Sequence, residues 1–196
     1  MPVEGKMISG SKITLRDKRL SDARNDYTWH SDSELSHLDA IPLPKITFQE
    51  YLAEYSFQLR YPFSSRKQFA IDTKEGKHIG NCMYYDINDV KSEAELGIMI
   101  GDKGYWDKSY GSEVITTLIH HIFETTNLKR IYLKTLDSNI RAQKSFRKCG
   151  FTPYGHMDKN GFSFLLMETH RSNWEKNNAF ITEDNGGGEV NNKSSN

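Results

Sequence analysis

The sequence predicts an α/β domain, with a mixed, mostly antiparallel central sheet flanked by helices. Three features carry that expectation. Short stretches with apolar residues at alternate positions, the period of a strand, recur between residues 12 and 168. Two longer stretches, 112–126 and 139–149, switch to helical spacing. Turn residues at Glu75-Gly76 and Lys159-Asn160-Gly161 join neighbouring strands as hairpins.

The elements follow in order. Residues 12–16 (KITLR) read as a first strand. Ser21 can cap a helix running to His30, and a short helical piece follows through Leu38. Pro42 and Pro44 end that region. Thr47 and Glu50 then spell a capping box, in which each side chain satisfies the other's backbone N–H. Phe48, Leu52, Tyr55 and Leu59 follow at helical spacing until Pro62. Residues 68–72, 79–87 and 93–100 read as three strands. In the third, Leu96, Ile98 and Ile100 share one face, and Gly97 marks a bulge or the close approach of another backbone. A glycine-bearing loop, 101–111, leads into a helix over 112–126 striped by Val114, Ile115, Leu118, Ile119, Ile122 and Phe123. A strand over 130–136 precedes a helix over 139–149, which Gly150 ends in the left-handed cap position. Residues 151–156 and 162–168 make the final β pair.

Composition bounds the function. A chain of 196 residues suits one domain and can bury a sizeable core without metals or disulfides. Its 26 Lys and Arg balance 26 Asp and Glu, which argues against a nucleic-acid partner while leaving room for a local basic cleft. The mean hydropathy of -0.70 implies a polar surface, yet 12% aromatic residues argue against a disordered chain. No window approaches the ~18 apolar residues of a membrane span. The first ten residues lack a charged region followed by an apolar one, so no secretory leader is expected. Cys82 and Cys149 stand far apart and fit no metal spacing. They read as core filler in a reduced, cytoplasmic compartment, and no metal is expected. Residues 1–11 read as a flexible start, 12–180 as the folded domain, and 183–196, rich in Gly, Asn and Ser, as a disordered tail.

The loop over 104–112 carries chemistry. A strand–turn–helix junction exposes backbone N–H groups beside the positive end of a helix, an arrangement that binds phosphate. Gly111 allows close approach and Lys108 can add charge. A Walker A loop needs a glycine before the Lys-Ser pair, where Asp107 stands, and no G-x-G-x-x-G occurs. Alone, the two glycines could simply make a turn.

Their company is more specific. Residues 94–100 (AELGIMI), 104–114 (GYWDKSYGSEV), a long helix, a strand and 137–151 (DSNIRAQKSFRKCGF) follow in one order. In this the sequence resembles the GNAT acetyltransferase superfamily over about residues 12–175, and within it the ribosomal-protein N-terminal alanine acetyltransferases. The resemblance extends to Tyr27-Thr28-Trp29 and Ser172-Asn173-Trp174.

The resemblance implies an acetyl-CoA-dependent N-acetyltransferase acting on a primary amine: a protein N-terminus, a polyamine, an aminoglycoside or an amino acid. The alternative is a domain of the same fold that binds acyl-CoA without turnover. A homodimer is compatible with either. By resemblance, Ile98, Met99 and Ile100 would pair with the pantetheine arm. Trp106, Lys108, Ser109, Tyr110, Gly111 and Ser112 would surround the diphosphate, and Asn139 and Phe146 would contact the pantetheine or acetyl end. The family writes this loop Gln/Arg-x-x-Gly-x-Gly/Ala. Here Trp106 replaces the Gln or Arg, Ser109 replaces the first glycine, and Asp107 adds a negative charge. Where many members carry a Tyr acid, Phe146 stands, and where the ribosomal-protein branch uses a Ser, Ala142 stands. Ser145 is the substitute if its helix points it inward. Glu95 is the base that the resemblance offers, with Glu93, His156 and His170 as further candidates. Each could equally be structural.

Overall fold

The computed structural model describes residues 7–176. The tail expected at 183–196, and residues 1–6, lie outside these. Eight strands form one sheet: β1 (Ile8–Ser9), β2 (Ile13–Asp17), β3 (Arg66–Thr73), β4 (His78–Asn88), β5 (Glu93–Ile100), β6 (Arg130–Leu136), β7 (Thr152–Lys159) and β8 (Phe162–His170). Their spatial order is β1-β2-β3-β4-β5-β6-β8-β7. Every neighbouring pair is antiparallel except β5 with β6. Helices flank it: α1 (Ala23–His30), α2 (Ser33–Leu38), α3 (Phe48–Arg60), α4 (Tyr110–Thr125) and α5 (Ile140–Lys148), and the described residues end in a further helical stretch over 171–176. The mixed α/β architecture is the one the sequence predicts.

Local chemistry accounts for most of these bounds. The capping box at α3 forms as expected: Thr47 N–H donates to Glu50 Oε2 at 2.7 Å, and Glu50 N–H to Thr47 Oγ1 at 3.3 Å. Asp32 caps α2 through Glu34 N–H and Leu35 N–H. Asn160 and Gly161 both hold positive φ, 54° and 79°, the two-residue hairpin turn that matches strand twist. Gly150, at φ 86°, ends α5 as predicted.

Two expectations change. Ser21 does not cap α1, because a 3-10 turn over Leu20–Asp22 leads into it and Asp22 accepts the Arg19 N–H at 2.7 Å. The flexible start ends sooner than residue 11, since Ile8 and Ser9 pair with Leu15 and Thr14. Two residues are too few to show a period.

The sheet has two unlike faces, because side chains alternate along each strand. One face, including Leu15, Ile71, Leu96 and Leu133, packs on the α4 stripe of Val114, Ile115, Leu118 and Ile122, all nearly without solvent. The other carries Arg16, Asp72, Asn81, Tyr85 and Glu95 beneath α1–α3, and is polar. Arg16 is buried there, bonding Asp72 at 2.6 and 3.0 Å and Asp22 at 2.8 and 2.9 Å. Helix α3 differs from α4, for none of its residues is buried. It covers the polar face without adding to the core.

The sheet forks at its middle. β5 and β6 pair only over Glu93–Glu95 and Arg130–Tyr132. Beyond Glu95, β5 continues against β4 alone, and β6 against β8 alone. Residues 96–100 thus present one strand edge without a strand partner, a template for an extended ligand.

Candidate active site

Two cavities open from the fork. The smaller, of about 160 Å³, runs beside Ile98, Met99 and Ile100 to the start of α4. The larger, of about 620 Å³, lies on the polar face and is roofed by α3 and the segment after α2. They meet at Leu38, Asp39, Ile98, Met99, Asn139 and Ala142.

The wall of the smaller cavity is a helix start stripped of its usual cap. Ser109 stands at the N-cap with φ 66° and offers no side-chain bond. The first α4 N–H to reach a carbonyl is that of Glu113, on Ser109 at 3.1 Å. The amides of Tyr110, Gly111 and Ser112 are left to bind an anion. A side chain on Gly111 would meet nothing within 4 Å, and its φ is not positive. Neither crowding nor backbone conformation requires glycine there, so its effect is to keep the space over those amides open. The left-handed φ of Ser109 explains a glycine preference at that position, since a side chain there costs about 1 kcal/mol. Asp107, at φ 56°, tolerates the same region better than most residues.

The cofactor-side residues divide. Ile98, Met99, Ile100, Trp106, Ser109, Tyr110, Gly111 and Asn139 line the smaller cavity, as does Ser145. Lys108 does not, because its Nζ donates to the Gly104 carbonyl at 2.7 Å and folds the loop on itself. The Ser112 side chain is also absent from the wall, while its carbonyl accepts from Cys149 Sγ at 3.3 Å. Phe146 is 7% exposed, packs on Phe151 and faces the larger cavity instead. Asn139 caps α5 and also lines both cavities. Its Oδ1 caps α5 through Ala142 N–H at 3.1 Å, and its amide donors remain for the cavity.

Sequence reasoning missed Arg141. Its guanidinium stacks 3.5 Å from the Trp106 ring centre, on the cavity wall. Trp106 is itself fixed, donating from Nε1 to the Ile100 carbonyl at 2.7 Å. A cation therefore reaches this wall from α5 although Lys108 has turned away. The spacing of Asn139 and Arg141 carried no sign of this, because only the fold brings α5 against the loop.

Glu95 stands at the crotch of the fork, the last β5 residue paired to β6. It is 6% exposed. Tyr85 Oη donates to its Oε1 at 2.6 Å and Lys134 Nζ at 2.5 Å. No bond among the described residues reaches Oε2, so one carboxylate oxygen is held and the other is available to a substrate. Burial and the Glu95 charge push the Tyr85 hydroxyl well above its ordinary range, which keeps it a donor. The other base candidates lie elsewhere. Glu93 is tied to Arg130 at 2.6 Å, His156 is exposed beside Asp137 at 3.3 Å, and His170 rests on Glu168. None lines either cavity.

Asp39, at the end of α2, lines both cavities. Loss of water around its carboxyl pushes it up to about 6, although the residue as a whole stays exposed. Burial lowers His30 on the larger cavity's wall, favouring its neutral form. No cluster of metal ligands occurs among the described residues, and no described helix is long and apolar enough to cross a membrane.

Comparison with known proteins agrees with this geometry. The profile of the acetyltransferase (GNAT) domain matches residues 12–152. A probable spermine N(1)-acetyltransferase of Bacillus subtilis subsp. natto (strain BEST195) is 32% identical over 99 residues, 48% of this chain and 65% of that protein. A spermine/spermidine N(1)-acetyltransferase of Bacillus subtilis (strain 168) is 31% identical over the same shares. The chain thus covers less than two thirds, 65%, of the length of the curated relatives it matches. Among solved structures, spermidine N-acetyltransferase from Vibrio cholerae in complex with CoA and spermine superposes with a TM-score of 0.74. It is 21% identical over 84% of this chain and 99% of that one. An aminoglycoside acetyltransferase in complex with coenzyme A gives 0.70 at 17% identity, over 85% and 99%. These names are those of polyamine and aminoglycoside enzymes and lend no support to the ribosomal-protein branch.

Proposed function

Because the chain belongs to the GNAT acetyltransferase family, we propose that it moves the acetyl group of acetyl-CoA to a primary amine by direct attack. The observation that carries this reading is the fork itself. It opens one cavity toward an anion-binding helix start and another toward a polar face, with Glu95 where they part. A domain that only stored acyl-CoA would need no second cavity.

Acetyl-CoA supplies an acetyl group activated as a thioester. The edge of β5 over 96–99, short of the Ile100 carbonyl that Trp106 already occupies, would hold its pantetheine arm in the manner of an added strand. The amides of Tyr110, Gly111 and Ser112, with Arg141, would receive its diphosphate. Glu95 would take the proton of the incoming ammonium through Oε2, directly or through a water, while Tyr85 and Lys134 fix its position. The amine nitrogen then bonds to the acetyl carbon, the carbon–sulfur bond breaks, and the sulfur leaves as thiolate. A thiol pKa of roughly 8.5 makes that a fair leaving group. The proton that the attacking nitrogen still has to lose would pass to the sulfur, with the Ser145 hydroxyl on the cavity wall as relay.

Two experiments test this. Saturating acetyl-CoA should raise the melting temperature, since a ligand at 100 times its Kd stabilises the native state by about 2.7 kcal/mol. Gly111→Val should melt normally without ligand and lose the shift, because its side chain enters the open space over the amides. A normal shift in that variant would place the diphosphate elsewhere, and no shift in the parent would end the assignment. Separately, Phe146→Tyr should raise turnover by adding a proton donor to the wall of the larger cavity. A large loss with the fold intact would mean that Phe146 shapes the acyl pocket and that the proton comes from Ser145 or solvent.

A further inference from the structure

We infer that the amine accepted by this protein carries an anionic group at its far end, and that Arg66 receives that group. The inference rests on the acetyltransferase reading above and names the acceptor class for the same site.

The larger cavity has one unpaired carboxylate among the described residues, and it stands where the two cavities join. Two of its three carboxylates already hold cations: Asp26 binds Lys18 at 2.6 Å, and Glu95 binds Lys134 at 2.5 Å. Only Asp39, at the mouth shared with the smaller cavity, is without an ion pair among the described residues. The one nest suited to a distal ammonium is filled from within. Lys18 Nζ sits 5.8 Å from the centre of the Tyr55 ring, against Asp26 and the side-chain Oδ1 of Asn81. An aromatic face beside a carboxylate is how proteins hold ammonium groups, and here the chain supplies its own.

Positive charge is in surplus on the same walls. Arg66 and Lys159 line the cavity and have no carboxylate partner among the described residues. Arg66 is directly opposite Tyr85 on β4, and Tyr85 is opposite Glu95 on β5. The three share one face in one cross-strand row. Two strand spacings, roughly 10 Å, separate Arg66 from the proposed base. A guanidinium at that range can hold a carboxylate while the amine lies at Glu95. Near the Asp26 carboxylate, the same wall also buries the Tyr55 hydroxyl. Burial keeps it protonated.

The test uses the full chain with acetyl-CoA and three amines of equal length: 5-aminopentanoate, pentylamine and 1,5-diaminopentane. CoA release is read as free thiol. The anionic amine should show at least a tenfold higher kcat/KM than the diamine. In Arg66→Ala that ratio should fall toward one, mainly through KM, and Arg66→Lys should restore part of it. Preference for the diamine, or a ratio unmoved in Arg66→Ala, overturns the inference while leaving the acetyltransferase reading intact. Release of CoA with none of the three overturns both.

Discussion

Glu95→Gln should lower turnover at neutral pH by about 10²–10⁴-fold, the contribution of one positioned proton acceptor. Acetyl-CoA should still raise the melting temperature of the variant as much as that of the parent, because the diphosphate cradle lies at the start of α4. Gln keeps an oxygen for Tyr85 and Lys134, so the fold has an acceptor where Oε1 was. The informative reading is the pH profile. An alkyl ammonium has a solution pKa near 10.4, so the fraction of free amine rises about tenfold per pH unit below that value. Without its base, the variant depends on amine deprotonated in solution, and its rate should climb steadily from pH 7 to 10. The parent should flatten earlier. A variant as active as the parent at pH 7 would show that the proton leaves through water alone.

Arg16→Ala should cost about 3–5 kcal/mol of stability, the loss expected when one partner of a buried ion pair is removed. Typical domains are stable by only about 5–15 kcal/mol, so the variant would sit near the limit of folding. The reason lies in what remains. Asp22 and Asp72, both buried, would lose the guanidinium that each now contacts within 3.0 Å. In the parent, bonds from Arg16 and the Arg19 N–H outweigh burial and hold the Asp22 carboxyl below the usual range. That stability is present above the unfolded carboxyl pKa of about 3.9 and fades as pH falls through the lower folded value. Removing Arg16 takes away its share of this contribution, so the deficit should be largest at neutral pH and shrink on acidification below about pH 4. Urea denaturation of both proteins at pH 7 and pH 3 measures it. A deficit that grew toward pH 3 would mean that the two carboxylates are not what Arg16 stabilises.

How much of this was written in the sequence depends on range. The capping box at Thr47 and Glu50, the Asn160-Gly161 turn and the αL end at Gly150 are local chemistry, and each appears where the residues placed it. Alternation located β2 to β8 to within a few residues, but it says which face a side chain takes, not which strand lies beside it. The fork between β5 and β6 is a statement about pairing, so its place at Glu95 was not legible in strand periodicity. Lys108 misled because a lysine beside a phosphate loop has the right charge wherever its side chain turns. The Gly104 carbonyl claims it here. Arg141 and Arg66 were invisible for the opposite reason: each is an ordinary surface arginine until the fold brings it to a cavity wall. Ser145 could be judged only once α5 was oriented.

The absence of any buried residue in α3 has an evolutionary consequence. Substitutions away from the core change stability little, usually within about 0.5 kcal/mol. Helix α3 roofs the larger cavity through Tyr51, Tyr55 and Gln58, so its side chains can be exchanged without disturbing the packing of α4 on the sheet. The start of α4 has no such freedom, because the same chain both seeds the core and presents the amides of 110–112. Acceptor preference is therefore the trait in this scaffold most open to drift, while the donor side stays fixed by the demands of folding.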